Sequence, residues 1–171
     1  MSDIIWPDKF LPGTTDNYVS NEVIVKDLTS AAIWPLLSHA ALWPTYYNNA
    51  SKIGFDGEAG PELSLGARFR FTTFGLDVEA QVTEFVPPAA GAPARIAWRA
   101  WVDGTEEHAI DVLHAWLIED MPGERVRVLT QESQIGKPAI GLAQAKPNPM
   151  LNAHQDWLDG LVLAAAQPKA K

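Results

Sequence analysis

An alternation of apolar and polar side chains predicts a β-strand near the start of the chain. One set of alternate residues is mostly apolar and consists of Val19, Asn21, Val23 and Val25, whereas the intervening residues are mostly polar. Because successive side chains of a strand point to opposite faces, this pattern indicates a half-buried strand. Residues 1–17 contain Pro, Gly and Asp without periodicity. We therefore expect an irregular arm there, with Trp6 and Phe10 attaching it to the domain.

The segment after this strand predicts two short helices. Residues 27–30 offer side chains that cap a helix, and a largely apolar run follows at residues 31–37. Pro35 lies within that run and removes one intrahelical hydrogen bond, which predicts a kink rather than one straight helix. The second short helix is expected near residues 41–47.

Six more segments, each bounded by turn residues, predict six further strands. Their approximate ranges are 50–55, 66–73, 76–86, 94–103, 108–119 and 124–135. The turns Phe74-Gly75 and Asp103-Gly104 are short enough to make the flanking strands antiparallel. Within residues 76–86 apolar and polar side chains alternate, so we expect a sheet with one dry face and one wet face.

The last segment predicts a long helix with one apolar stripe. Asn148 can cap it, Pro149 suits its first position, and Gln167-Pro168 is expected to end it. The stripe recurs at helical spacing and comprises Met150, Leu151, His154, Trp157, Leu158, Leu161, Val162 and Ala165. Because this stripe must be buried, the helix is predicted to lie on the dry face of the sheet.

Composition and charge narrow the class of protein. A chain of 171 residues with 47% hydrophobic and 20% charged residues is typical of one globular domain, expected to span residues 1–171. The net charge of −8 disfavours nucleic acid as a partner, because an acidic surface repels phosphates. The longest apolar run is too short to span a bilayer and no signal peptide is recognisable, so a cytoplasmic protein without membrane insertion is expected. The absence of cysteine excludes thiolate chemistry.

Several short motifs, in this order of elements, carry a resemblance to a known superfamily. They are Ser30-Ala-Ala-Ile-Trp34 with Trp43, Gly66-Ala-Arg-Phe69, Ile96-Ala-Trp98, His114-Ala-Trp116-Leu117, Thr130-Gln-Glu132 with Gly136, and His154-Gln-Asp-Trp157-Leu158 with Leu161. The chain resembles the Bet v 1-like or START-like superfamily, and within it the bacterial SRPBCC proteins of the polyketide cyclase/dehydrase type.

This resemblance implies both a fold and a kind of function. The fold is α+β, a helix-grip fold in which a seven-stranded curved antiparallel sheet wraps around a long C-terminal helix, with two short helices after the first strand. A cavity between sheet and helix is expected to bind lipids, polyketides or other apolar molecules, and some members catalyse cyclisation or dehydration there. Pro147 and Pro149 depart from the pattern by delaying the terminal helix, so residues 137–146 are predicted to form a loop that acts as a lid.

Glu132 and His154 are the candidates for acid–base chemistry. Glu132 shares its parity with Val126, Val128 and Thr130, so it is predicted to point into the interior, where a carboxyl group can act as a general acid or base. His154 lies on the apolar stripe of the last helix, where an imidazole can bind a ligand or exchange a proton. Structural roles stay open, with Glu132 at the rim or paired with an arginine and His154 bonded to a neighbouring carbonyl or carboxylate.

The remaining histidines do not predict a metal site. His108 and His114 lie six residues apart on one predicted strand, which separates them by about 20 Å at ~3.4 Å per residue. Because no third ligand occurs at suitable spacing, neither a metal ion nor another cofactor is expected. His108 is expected at an exposed turn, whereas His114 is a candidate for the cavity.

Aromatic residues are the expected walls of the cavity, since seven tryptophans combine large apolar faces with single N–H donors. The predicted ligand-binding residues are Trp34, Trp43, Tyr46, Tyr47, Phe69, Phe71, Trp98, His114, Trp116, Glu132, His154 and Trp157. Two functions stay open: binding of a small, largely apolar, lipid- or polyketide-like molecule, or a cyclase or dehydratase that acts on a ketide-like substrate. A role in protein interaction is disfavoured, because the outer face of the sheet carries many charges.

Overall fold

A curved antiparallel sheet of seven strands, closed on one side by helices, forms the body of the protein. The computed structural model describes residues 1–57 and 60–167. The strands are β1 (Asn17–Lys26), β2 (Ser51–Phe55), β3 (Arg68–Thr73), β4 (Leu76–Val86), β5 (Ala94–Val102), β6 (Ile110–Met121) and β7 (Arg125–Ile135). The α-helices are α1 (Ser30–Ser38), α2 (Lys137–Gln144) and α3 (Pro149–Ala166), and two 3₁₀ helices span Asp8–Phe10 and Ala40–Thr45.

The order of strands in the sheet is β1-β7-β6-β5-β4-β3-β2, so each strand from β2 to β7 lies beside the next, and β1 pairs with β7. All the pairs are antiparallel, including β3–β4 and β5–β6, for which the short turns predict this arrangement. The predicted α+β fold with its seven-stranded sheet, two short helices after the first strand and long C-terminal helix is thereby confirmed.

The two short helices after β1 are separated at His39 rather than at the proline. Thr29 caps α1, because its hydroxyl accepts a hydrogen bond from the Ala32 amide. Pro35 lies inside α1, and the chain leaves the helix only after Ser38. Helix α1 therefore continues for three residues after Pro35, the position at which the sequence predicts a kink.

Residues 137–146 are not the predicted loop, because Lys137–Gln144 forms helix α2. The prediction treated Pro147 and Pro149 as signs that the whole segment lacks a helix, whereas Pro138 sits in the first turn of α2, where its missing N–H has no consequence. Gly136 precedes α2 with φ +131°, and a Cβ there would lie 2.5 Å from the Ala109 carbonyl oxygen. Glycine is thus required where the chain leaves β7 for this helix.

Helix α3 begins as predicted, but the stripe of residues that it buries is narrower than the predicted stripe. Asn148 Oδ1 accepts a hydrogen bond of 3.0 Å from the Met150 amide, and Pro149 occupies the first turn. The buried residues of α3 are Met150, Ala153, His154, Trp157, Leu158 and Leu161, whereas Leu151 is 40% exposed. The helix ends at Ala166, and Pro168, which is predicted to end it, lies outside the described residues.

The outer face of the sheet is not uniformly wet, because the N-terminal arm covers part of it. Ile4 on the arm joins Ala97, Ala115, Leu117 and Leu129 in a small outer core, with Trp6 packed against it. The main core lies on the inner face, where the indole of Trp43 stacks on Trp98 at 5.1 Å. Among the residues described, no helix has both the length and the hydropathy needed to cross a membrane.

Candidate functional site

A cavity of about 200 Å³ lies between the inner face of strands β3 to β7 and the helices α2 and α3. Its walls are mostly apolar and aromatic. They include Tyr47, Phe71, Phe74, Val78, Trp98, Ala100, Ile110, Val112, Leu142, Met150 and Trp157, with Thr73, Leu76 and Pro138. Apart from Thr73 and Tyr47, the polar side chains on the wall are those of His114, Glu132, Gln134 and His154. An apolar cavity with a few polar groups is the usual form of a small-molecule site.

Three of these polar residues form one buried cluster, which is called the His–Glu–His cluster below. Glu132 Oε2 lies 3.1 Å from His114 Nδ1 and 3.2 Å from His154 Nε2. The two imidazole rings are almost parallel, with centroids 4.5 Å apart. Because the three residues are 5% exposed or less, the interactions take place away from bulk water.

The sheet register explains why two members of the cluster meet. His114 on β6 is paired directly with Glu132 on β7, and side chains opposite each other across antiparallel strands point to the same face. On β5, Trp98 is paired with His114, so its indole lies beside the imidazole at a centroid distance of 4.8 Å. His154 completes the cluster because the buried stripe of α3 lies against this face.

Neighbouring hydroxyl and amide groups fix the hydrogen bonds of the cluster. His114 Nε2 lies 2.8 Å from Thr130 Oγ1. If Nδ1 carries the proton and donates it to Glu132, Nε2 accepts from the Thr130 hydroxyl, and both ring nitrogens are satisfied. Burial, followed by the nearby His154, lowers the pKa of His114 well below its usual range, which favours this neutral imidazole. His154 Nδ1 is buried and has no hydrogen-bond partner in the structure.

A chain of buried and half-buried amides connects Glu132 to the first turn of α3. Because Asn148 Oδ1 caps that helix, its Nδ2 donates to Asn17 Oδ1 at 2.9 Å. Asn17 Nδ2 then donates to Gln134 Oε1 at 2.7 Å, and Gln134 Nε2 donates to Glu132 Oε1. The helix cap therefore fixes which end of each amide donates and which end accepts. This chain of amides, called the amide relay below, ends with the Gln134 N–H donating to the Glu132 carboxylate.

Seven of the twelve predicted ligand-binding residues line the cavity. They are Tyr47, Phe71, Trp98, His114, Glu132, His154 and Trp157. Glu132 is inside rather than at the rim, and it is paired with the two histidines rather than with an arginine. Burial raises the pKa of Tyr47 to about 12, so its phenol is neutral at physiological pH.

The other five predicted residues, Trp34, Trp43, Tyr46, Phe69 and Trp116, do not line the cavity. They fill the core around it, and Trp43 is the centre of that core, with its Nε1 donating to the Leu37 carbonyl at 2.9 Å. The hydroxyl of Tyr46 donates to the Leu36 carbonyl at 2.9 Å, so it is engaged in packing α1. His108 is exposed at a turn, as expected, with Nδ1 2.9 Å from Thr105 Oγ1.

Eleven of the residues that line the cavity were not among the predicted ligand-binding residues, and three of them show why. Gln134 shares the inward parity of Glu132 on β7, so the same alternation identifies it. Pro138 and Leu142 were missed because their segment was predicted to be a loop.

The expectation that no third metal ligand is available was wrong in its reasoning, since it compared positions along one strand. The structure brings His114, Glu132 and His154 together from three different elements, with donor atoms all within 4.8 Å of one another.

Comparison with solved structures identifies a relative at the level of sequence. The hypothetical protein jhp0584 from Helicobacter pylori is 47% identical to this chain, and the alignment covers 96% of this chain and 97% of that chain. The two structures superpose with a TM-score of 0.92. No protein-family model and no curated protein matches the chain.

More distant structures share the fold alone. Truncated norcoclaurine synthase from Thalictrum flavum superposes with a TM-score of 0.62 at 12% identity, covering 90% of this chain and 95% of that chain. The di-domain ARO/CYC protein BexL from the BE-7585A biosynthetic pathway gives a TM-score of 0.59 at 12% identity, covering 85% of this chain and 45% of that chain. These similarities confirm the Bet v 1-like helix-grip fold.

Proposed function

Because this chain belongs to the same family as the Helicobacter pylori protein jhp0584 and has the Bet v 1-like fold, we propose that it binds a compact, largely apolar molecule in the cavity between the sheet and helices α2 and α3. The observation that carries the proposal is the distribution of polarity in the cavity. Its walls are mainly apolar and aromatic, while the two histidines and the one carboxyl group among the described lining residues are collected in the His–Glu–His cluster. Such a cavity favours a ligand with an apolar body and one polar group.

The volume of the cavity limits the size of the ligand. About 200 Å³ is less than the roughly 300–1,000 Å³ of sites that bind drug-sized molecules. Trp43, Trp98 and Trp157 occupy much of the interior that a larger ligand would need. A molecule of about one ring system is therefore the proposed ligand, and a lipid chain or a polycyclic polyketide would require α2 to move away from the sheet.

Binding of phenol, as a probe that combines one apolar ring with one hydroxyl, tests this proposal. The protein is dialysed against EDTA and titrated with phenol in a calorimeter. Val112→Phe places a ring inside the cavity, whereas Ile24→Phe adds one at a side chain that is 46% exposed on β1 and serves as the control. We expect saturable binding to the wild type and to Ile24→Phe, and at least about tenfold weaker binding to Val112→Phe. Equal affinity in the three proteins, or no binding to the folded wild type, would contradict the proposal.

One observation favours a second candidate, an enzyme that works by acid–base catalysis. Glu132 Oε2 and His154 Nε2 are 3.2 Å apart on the wall of the cavity, so a carboxylate and an imidazole are in position to exchange protons with a bound substrate. Cyclisation and dehydration of a ketide-like substrate both need removal of a proton next to a carbonyl group.

Hydrogen–deuterium exchange at C2 of ethyl acetoacetate in deuterated buffer tests this second candidate without knowledge of the natural substrate. The enzyme hypothesis predicts that the wild type accelerates the loss of the C2 proton signal, measured by NMR, over the rate in buffer. It also predicts that Glu132→Gln removes the acceleration while Glu107→Gln, at an exposed turn, retains it. Equal acceleration by the wild type and Glu132→Gln would exclude Glu132 as the base.

A further inference from the structure

The His–Glu–His cluster supplies three donor atoms from three separate elements. His114 Nδ1 comes from β6, Glu132 Oε2 from β7 and His154 Nε2 from α3, and all three lie within 4.8 Å of one another. The residues are 5% exposed or less, and all of them line the cavity. Imidazole nitrogen and carboxylate oxygen are the donors that first-row transition ions accept in proteins.

The distances from Glu132 Oε2 to the two imidazole nitrogens match those between two ligands of one ion. Two ligands that are each about 2.0–2.2 Å from an ion lie about 3–3.5 Å apart when the angle between the bonds is near 90–110°. The observed separations from Glu132 Oε2 are 3.1 Å to His114 Nδ1 and 3.2 Å to His154 Nε2. The two rings are almost parallel, and an imidazole lone pair lies in the plane of its ring, so both rings rotate toward the ion when all three atoms bind it.

Second partners orient two of the three donors as metal ligands are usually oriented. A histidine that binds a metal generally donates its other ring N–H to a neighbouring acceptor, and a ligating carboxylate is itself hydrogen-bonded. Thr130 Oγ1 lies 2.8 Å from His114 Nε2, where it can accept that proton. Gln134 Nε2 donates to the second oxygen of Glu132, and the amide relay holds Gln134 in place.

The charges around the cavity favour a cation. None of the described residues that line it is Lys or Arg, and Glu132 is the one carboxylate on its wall. A buried carboxylate is costly unless a positive charge or hydrogen-bond donors compensate it. Two imidazole protons provide this compensation in a metal-free cluster, and an ion that binds the same nitrogens would displace them.

We propose that His114, Glu132 and His154 bind one divalent first-row transition ion, of the class of Zn²⁺ or Fe²⁺, in the wall of the cavity. Two histidines and one carboxylate leave coordination positions free for water or for a ligand in the cavity, as in catalytic zinc sites and non-haem iron sites. The ion would be held by protein atoms whether or not a small molecule is bound. This assignment goes beyond the proposed binding function and replaces the expectation, drawn from sequence spacing, that the chain has no metal site.

Titration of the EDTA-treated full chain with ZnCl₂ in chelator-free buffer tests the proposal. Calorimetry is expected to give one site per chain. Loss of one ligand in Glu132→Gln or His154→Ala should weaken binding about 100-fold or more, and loss of a supporting partner in Thr130→Val should weaken it about 10- to 100-fold. His108→Ala removes an exposed histidine outside the cluster and should leave the affinity unchanged.

NMR of the histidine side chains makes the result independent of how well the variants fold. In wild-type protein, one equivalent of Zn²⁺ should shift the imidazole ¹⁵N resonances of His114 and His154 and leave those of His39 and His108 in place. Absence of Zn²⁺ binding to the folded wild type, shifts confined to His39 or His108, or equal affinity in wild type and His154→Ala would overturn the metal site. The phenol titration in EDTA contains no metal, so its outcome reports on the binding function separately.

Discussion

At the scale of single residues, the site depends on satisfying a buried carboxylate. Glu132 is 5% exposed, and donors surround both of its oxygens: His114 and His154 at Oε2, and Gln134 at Oε1. Hydrogen bonds to a charged group are stronger than those between neutral groups, and losing one inside the protein leaves the remaining partners unsatisfied. The amide relay is therefore as much a part of the site as the residues that face the cavity.

Asn17→Ala is predicted to lower the free energy of unfolding by about 1–3 kcal/mol, because it leaves Gln134 Oε1 and Asn148 Nδ2 without their buried partners. Urea denaturation followed by tryptophan fluorescence measures this change. Asn48→Ala, at an exposed position, is the matched control and should stay within about 0.5 kcal/mol of the wild type. Equal stability of the two variants would show that the relay does not stabilise the folded protein.

The sequence predicts the direction of these side chains better than it predicts their neighbours. Parity on β7 correctly places Glu132 inside, and the stripe of α3 correctly buries His154. Their contact was not predictable, because it depends on where α3 lies on the inner face of the sheet. The register between β6 and β7 brings His114 opposite Glu132, and a slip of one residue would turn each side chain to the other face, so no spacing along a single strand can indicate this pair.

At the scale of elements, two helices that differ in how tightly they are packed close the cavity. Helix α3 packs closely at Gly160 against the residue that follows the second 3₁₀ helix, where a Cβ would lie 2.0 Å from the Tyr46 carbonyl oxygen. Helix α2 contributes only Pro138 and Leu142 to the cavity wall and buries one residue, Ala139. The sequence analysis missed α2 because eight residues with a proline in the first turn are too few for a clear helical period, whereas the 18 residues of α3 show theirs plainly.

Gly160→Ala is predicted to destabilise the protein although alanine is the better helix former. The added methyl group must displace the Tyr46 carbonyl, and overpacking of this kind exceeds the gain in helix propensity by about 1–3 kcal/mol. Gly141→Ala in α2 is the control, since no atom lies within 4 Å of its added Cβ, and it should stabilise by about 0.5–1 kcal/mol. Thermal or urea unfolding of both variants gives the comparison, and stabilisation by Gly160→Ala would disprove the close contact.

At the scale of the whole molecule, the sheet is covered on both faces in its middle. The main core and the cavity occupy the inner face, and the N-terminal arm covers Ala97, Ala115, Leu117 and Leu129 on the outer face. These outward residues are apolar in the sequence, yet the charged residues of β3 and β4 led to the expectation of a wet face throughout. The volume of the cavity could not be predicted from the sequence either, because it is the space that remains after the large aromatic side chains have packed.

Ile4→Ala is predicted to lower the free energy of unfolding by about 2 kcal/mol, because Ile4 is 8% exposed and anchors the arm in the outer core. Ile5→Ala is an adjacent control of the same chemistry at a side chain that is 67% exposed, and a change within about 0.5 kcal/mol is expected. Urea denaturation provides both values. If the two substitutions have the same effect, the arm does not cover the sheet in solution.

The central claim, that the cavity binds a compact apolar molecule, is tested most directly by the indole N–H resonances of the tryptophans during a titration with phenol. Trp98 and Trp157 line the cavity, whereas Trp6 lies on the arm and Trp101 lies near the guanidinium groups of Arg68 and Arg99. We predict saturable shifts of the Trp98 and Trp157 resonances in a ¹H–¹⁵N spectrum, with those of Trp6 and Trp101 unchanged. Shifts confined to Trp6 or Trp101, or no shift at any of the four, would contradict the account.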